Sequence, residues 1–186
     1  MIENILRIDP SEAISPERLQ HILQAFLGGL LLAFYSQVEI PIQPVPINLQ
    51  TLAIFILAMT QGGRLAMHSV LFYLLGATLG LPILSGGFAN PYWFLGSRGG
   101  YLFSFLLTAY VIGKLEEKNS EQKIFRSCLN LIVGQLIVWG LGSLWLAYFI
   151  GMKKAILFGV LPFIPGSAVK MILALFARKP FKKVLS

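Results

Sequence analysis

Apolar residues along the chain form long blocks that are separated by short polar, proline-rich or glycine-rich segments. The first block, residues 19–38, is as long as a helix needs to be to cross a bilayer. Before it, Ser15 and Pro16 have the sequence of a helix cap followed by proline at the first helical position. The later blocks predict helices at 47–60, 65–81, 99–115, within 124–150, and from about 165 to 177. The pattern therefore predicts an all-α, polytopic membrane protein with six transmembrane helices.

Two segments between the blocks contain too many helix-breaking residues to be helical. Residues 39–46 include three prolines, which predicts a stiff, extended connection. In residues 85–101, six of the seventeen positions are glycine or proline. The same stretch carries several aromatic side chains and Arg98. This mixture is typical either of a pocket wall that binds a flat, charged solute or of a membrane-surface loop with an aromatic belt.

Composition narrows the class of protein. Hydrophobic residues make up 56% of the 186 residues and the mean hydropathy is +0.74, which favours a single membrane domain. The eight acidic residues lie outside the apolar blocks, so no buried carboxylate is expected for proton transfer or metal binding. The single cysteine excludes an internal disulfide, and His21 and His68 are far apart and without acidic neighbours. We therefore expect no metal, no cofactor and no enzymatic activity.

The distribution of positive charge indicates membrane topology. The net charge of +7 does not predict a nucleic-acid partner, because the basic residues lie at the ends of apolar blocks. Eleven of the fifteen lysines and arginines lie in the two terminal segments, the turn after the second span and the loop after the fourth. This bias predicts a multi-pass protein of the bacterial cytoplasmic membrane with both termini in the cytoplasm. The expected organisation is a cytoplasmic segment at 1–18, a membrane domain at 19–178 and a basic tail at 179–186.

Polar and charged residues gather near the predicted outer ends of the helices. Capping alone would explain Asn48, whereas an amide such as Gln50 near a helix start in the membrane usually faces the bundle interior. Lys170 lies one turn into the sixth span, which begins near Ser167, and no acid is close to it in the sequence. It either binds an anionic ligand or extends to the outer surface. The predicted substrate-binding residues are Asn48, Gln50, Tyr92, Arg98, Tyr101, Ser167 and Lys170.

Small residues recur at every fourth position of the first span. Ala25, Gly29 and Ala33 form a stripe along one helix face, which would let another helix approach closely in lipid. The stripe fits either a partner interface or packing inside the protein.

Four sequence segments together resemble a known family. They are PVPINLQTLA at 44–53, LPILSGGF at 81–88, GSRGGYLFSF at 96–105 and PFIPGSAVK at 162–170. With these segments the chain resembles the biotin-specific substrate-binding (S) components of energy-coupling factor (ECF) transporters, the BioY family. The resemblance extends over nearly the whole chain from the first span onward. Two positions differ from the family pattern: Ser167 replaces an aspartate, and Arg98 lies in a glycine-rich motif that usually has no cation.

The resemblance implies a fold and a function. It implies a six-helix membrane fold, biotin in a cavity near the outer face, and an energy module of a transmembrane coupling subunit with two ATPases. It also implies that the small-residue stripe docks on the coupling subunit. The chain has no GxxxxGK[ST] motif, so ATP hydrolysis must come from the partner subunits. Alternatives are uptake of another carboxylate-bearing vitamin or precursor, such as lipoate or dethiobiotin, and, less favoured by the residues, a membrane-embedded enzyme.

Overall fold

The chain folds as an all-α protein, as predicted. The computed structural model describes the backbone of residues 15–41, 43–119 and 123–184, and side chains of these residues as far as 176. The helices are α1 (Pro16–Ser36), α2 (Gln50–Gln61), α3 (Gly63–Thr78), α4 (Gly99–Glu117), α5 (Ile124–Ile150), α6 (Met152–Gly159) and α7 (Phe163–Val184). Two short strands, β1 (Glu39–Ile40) and β2 (Ile47–Asn48), pair antiparallel between α1 and α2.

The helix boundaries agree with the apolar blocks except at two places. The Ser15 side chain accepts a hydrogen bond from the Arg18 amide and Pro16 begins α1, which confirms the predicted cap. The second helix begins at Gln50 and not at residue 47, because residues 47–48 pair with β1. A further helix, α6, precedes the predicted sixth span, and its axis is bent by 46° from that of α7.

The carboxyl-terminal end also differs from the prediction. Helix α7 runs to Val184, so residues 179–184 continue that helix, and the division between membrane domain and basic tail stays a prediction. Of the predicted amino-terminal segment, residues 1–14 lie outside the described part of the chain. By length and composition, α1 and α5 can each cross a membrane, and α6 with α7 would make a third crossing if the bent pair is one span.

Packing places α4 at the centre of the bundle. It contacts α2, α3 and α5, while α1 packs on α3 and α7 packs on α2 and α5. The core is apolar and contains fully buried Phe55, Ile112 and Leu131. Large apolar side chains also cover much of the outside, as expected for a protein surrounded by lipid.

The small-residue stripe of α1 packs inside the protein. Ala25 is only 2% exposed, and Ala33 packs against the same core. A Cβ on Gly29 would lie 3.1 Å from the Cβ of Phe72 and 3.1 Å from the Ser69 carbonyl oxygen, both on α3. Because α3 covers Ala25 and Gly29, this arrangement favours packing inside the protein, and the role of the stripe as a partner interface stays a prediction.

One carboxylate is buried, contrary to expectation. Glu116, near the end of α4, is 5% exposed and accepts hydrogen bonds from Ser127 Oγ at 3.1 Å and Asn130 Nδ2 at 2.8 Å. Both donors lie in the first two turns of α5, so the carboxylate joins two helices across the loop between them. The prediction failed because it considered only the apolar blocks and not the polar ends of the helices that follow them.

Candidate functional site

A cavity of about 600 Å³ lies among the irregular segments and the helix ends next to them. Its size is within the range of pockets that hold small molecules. The strand pair, the stretch at 84–98, the first turns of α2 and α4, the middle of α5 and the start of α7 all contribute to its wall. Its polar and charged lining residues are Glu39, Gln43, Asn48, Gln50, Thr51, Ser85, Asn90, Ser97, Arg98, Gln135, Ser167 and Lys170.

Hydrogen bonds join the strand pair to the glycine-rich stretch. Asn48 Nδ2 donates to Ser85 Oγ at 2.9 Å, and Ser85 Oγ donates to Glu39 Oε2 at 2.5 Å. Glu39 and Asn48 are also directly opposite each other in the strand register. Next to Ser85, Gly86 and Gly87 adopt positive φ values of 70° and 75°, which glycine tolerates best. The cavity wall at this edge is therefore one connected polar unit.

The side chains of the two predicted amide residues are hydrogen-bonded to each other and to a tyrosine of the core. Asn48 Nδ2 donates to Gln50 Oε1 at 2.7 Å, and Gln50 Nε2 donates to the Tyr73 hydroxyl at 2.6 Å. The Gln50 backbone amide donates to Asn48 Oδ1 at 3.1 Å, so Asn48 partly caps α2 from the strand that precedes it. Both amides line the cavity, but most of their hydrogen-bonding groups are already engaged.

Two cations line the cavity, and neither forms an ion pair in the described part of the chain. Lys170 is 6% exposed, and its Nζ donates to Thr51 Oγ1 at 2.9 Å. Arg98 Nε donates to the Pro44 carbonyl oxygen at 3.2 Å. In the described part of the chain, neither has a carboxylate within 4.0 Å. A buried ammonium paired only with a neutral hydroxyl is costly, and an anionic ligand would remove that cost.

Glu39 changes the charge that the sequence predicted for the cavity. Its side chain lines the wall and accepts the Ser85 hydrogen bond described above. Two cations and one carboxylate therefore give the described lining a net charge of +1. Glu39 was missed as a site residue because it lies beyond the end of the first apolar block, and strand pairing brings it to the cavity.

The aromatic wall differs from the predicted set at one position. Tyr101 lines the cavity, and its hydroxyl donates to the Gly159 carbonyl oxygen of α6 at 2.9 Å. Tyr92 does not line the cavity and is 67% exposed. A short 3-10 turn at Trp93–Leu95 follows it, and the buried Trp93 takes the inward position. Tyr92 instead makes an edge-to-face contact with Phe94, with ring centroids 6.5 Å apart.

Ser167 lines the cavity but does not begin the last helix. Helix α7 begins at Phe163, so Ser167 is its fifth residue and Lys170 its eighth. The helix starts earlier than predicted because Pro165 falls within its first turn, where the missing proline amide is tolerated. Of the seven predicted residues, the structure brings six to one cavity and leaves Tyr92 outside it.

Sequence reasoning also missed two residues of α5. Gln135 and Trp139 both line the cavity, one helical turn apart. Gln135 Oε1 and Trp139 Nε1 are buried and have no hydrogen-bond partner in the described part of the chain. The signal was present in the sequence, because a glutamine in the middle of an apolar span usually faces the protein interior.

Comparisons with known proteins place these features in a family. The sequence model of the BioY family matches residues 9–186. A probable biotin transporter BioY from Rickettsia prowazekii is 33% identical over 152 residues, covering 82% of this chain and 78% of the relative. The biotin transporter BioY of Thermotoga maritima is 29% identical over 167 residues, covering 89% and 98%. A crystal structure of the S-component for biotin from an ECF-type ABC transporter aligns with a TM-score of 0.81 at 28% identity, over 91% of this chain and 94% of that one.

Proposed function

This chain belongs to the BioY family, and from its family and its cavity we propose that it captures biotin as the S component of an ECF-type transporter. It is a transport protein of the membrane and not an enzyme. The observation that carries the proposal is the pair of cations at the cavity, because biotin ends in a carboxylate. The apolar part of the wall suits the fused rings and the aliphatic chain of biotin.

Lys170 and Arg98 bind the carboxylate of biotin in this proposal. Both lie at the cavity wall, and the Lys170 ammonium is held in place by Thr51. A charge-assisted hydrogen bond to a carboxylate is stronger than one between neutral groups. Asn48 and Gln50 form a polar part of the wall, Ser167 contributes a hydroxyl three residues before Lys170, and Tyr101 gives an aromatic face.

Uptake requires further subunits. We assign ATP hydrolysis to two ABC-type ATPase subunits that act through a transmembrane coupling subunit, as the membership of the family implies. The chain itself lies in the bacterial cytoplasmic membrane with both termini in the cytoplasm, consistent with the distribution of its lysines and arginines. In this orientation the cavity faces the outside, where biotin enters.

Mass spectrometry of the small molecule that co-purifies with the full chain in mild detergent tests the proposal. We expect biotin to be the molecule that co-purifies. In calorimetric titration, we expect biotin amide to bind more weakly than biotin, because the carboxylate of the amide is blocked. Lipoate and dethiobiotin serve as competitors. A different co-purified acid that displaces biotin would reassign the ligand, and equal binding of biotin and its amide would exclude the carboxylate from the cationic end.

A further inference from the structure

The unpaired polar atoms of α5 are the least explained feature of the cavity. Gln135 is 3% exposed, and its Oε1 has no partner among the described residues. The same holds for the indole Nε1 of Trp139. A buried polar group that lacks a hydrogen bond destabilises a protein, so such groups are retained where something else satisfies them. Since both residues line the cavity, that partner is reached from the cavity.

The other tryptophans show that an unpaired indole is unusual in this protein. Trp93 Nε1 donates to Thr78 Oγ1 at 3.1 Å, and Trp145 Nε1 donates to the Gly96 carbonyl oxygen at 3.0 Å. The chain has three tryptophans, so Trp139 alone keeps a free donor in the described structure. The two cavity glutamines contrast in the same way, because both ends of the Gln50 amide are bonded and Gln135 Oε1 is not.

We propose that Gln135 and Trp139 together recognise the ureido group of the ligand, with Gln135 Oε1 accepting from a ureido N–H and Trp139 Nε1 donating to the ureido carbonyl. This inference rests on the proposed function. The two residues are four apart on one helix and so face the same side, about 6 Å apart along its axis. A cyclic urea has an N–H and a C=O side by side, so it needs one acceptor and one donor at neighbouring positions.

Three other acceptors at the cavity wall already have donors. Asn48 Oδ1 and Gln50 Oε1 already accept hydrogen bonds, as does the Glu39 carboxylate. Lys170 and Arg98 are suited to the carboxylate. The α5 pair therefore determines specificity for the ring system, while the cations bind the acid common to many small metabolites.

Equilibrium binding to the purified full chain tests the donor half of the pair. We expect Trp139→Phe to weaken biotin binding about tenfold, as for a lost hydrogen bond at a buried site. The loss should be much smaller for 2-thiobiotin, in which a sulfur, a weak acceptor, replaces the ureido oxygen. Trp145→Phe is the matched control, because its indole donates to the backbone, and it should leave the preference between the two ligands unchanged.

The acceptor half is tested independently with Gln135→Met, which keeps the side-chain length and removes both polar atoms. We expect this substitution to weaken biotin binding about tenfold. The loss of affinity should disappear for one of the two biotin analogues that carry a methyl group on a single ureido nitrogen. An equal loss for biotin and its analogues, or no loss in either variant, would overturn the inference while the proposed function stands. A wild-type chain that does not bind biotin would instead refute the proposed function.

Discussion

Lys170 and Thr51 are 119 positions apart in the sequence, and the Lys170 ammonium donates a hydrogen bond of 2.9 Å to the Thr51 hydroxyl. This contact joins α7 to the first turn of α2 at the cavity wall. It fixes the direction of a charge that the described part of the protein does not neutralise.

Replacing Lys170 with methionine should weaken biotin binding by about 1.5–3 kcal/mol, the range for a hydrogen bond to a charged group. The side chain becomes only one atom shorter, so the wall remains packed while the charge is lost. Calorimetric titration with biotin and with biotin amide measures the effect, which should largely vanish for the amide. Lys154→Met removes an exposed cation of α6 and should change neither affinity. An undiminished loss with the amide would show that Lys170 does not meet the carboxylate.

Gly28→Ala should destabilise the protein, because the added Cβ would clash with the side chain of Ser69 where α1 packs on α3. We expect a loss of about 1–3 kcal/mol, as for an overpacked core. Gly140→Ala is the control: apart from the adjacent backbone of α5, no described atom lies within 4 Å of its added Cβ, so this helical substitution should stabilise α5 slightly. Thermal unfolding in detergent compares the two variants. Equal thermal stability of the two variants would mean that α1 and α3 can move apart at this contact without a loss in the free energy of unfolding.

Tyr73→Phe should lower stability by about 1–3 kcal/mol, because it leaves the buried Gln50 Nε2 without the hydroxyl that accepts from it. Biotin affinity should change less, since in the proposed arrangement Gln50 supports the cavity wall and the two cations bind the ligand. Tyr148→Phe removes an exposed hydroxyl and is the control. Thermal unfolding and biotin titration of the same samples separate the two effects. A large loss of affinity without a loss of stability would instead make Gln50 a direct ligand contact.

Glu117 should make stability dependent on pH at the carboxyl-terminal end of α4, beyond its apolar part. Its carboxylate accepts from Lys114 Nζ at 2.6 Å and from the Gly63 amide at 2.9 Å. The Lys114 hydrogen bond is the main cause that lowers the pKa of Glu117. A lowered carboxyl pKa gives stability that is present above the ordinary glutamate pKa and is lost as the pH falls through the lowered value.

Comparison with Glu117→Gln tests this dependence. The free energy of unfolding of the wild type should be higher than that of the variant at neutral pH by less than about 1 kcal/mol, since the ion pair is partly exposed to solvent. The difference should disappear in acid. Lys114→Met should cause much of the same loss of stability at neutral pH. The loss in the double variant should therefore be smaller than the sum of the losses in the two single variants. A difference that persists at low pH would assign the effect to packing.

The helices were predictable because long apolar blocks have few other structures available in lipid. The cap at Ser15 and the cavity-lining position of six predicted residues also followed from local sequence. Contacts between distant parts of the chain could not be predicted in this way. Glu39 reaches the cavity through the pairing of β1 and β2, and Ala25 and Gly29 face α3. Tyr92 and Trp93 are adjacent aromatic residues, and only the turn that follows decides which one points inward. Gln135 was visible as a polar residue in a span, but its free acceptor required the structure.

The glycine-rich stretch at 85–101 has little tendency to form regular structure, and two indoles attach it to the helices. Trp93, within the stretch, reaches Thr78 of α3, and Trp145 of α5 reaches Gly96 from 49 positions away. Contacts that close long loops form only after the chain ends have been brought together. The stretch is therefore expected to take its final shape late in folding, after α3 and α5 are in place. Substitutions at Thr78 or Trp145, outside the stretch, should slow the appearance of a binding-competent protein during membrane insertion more than substitutions of its exposed residues.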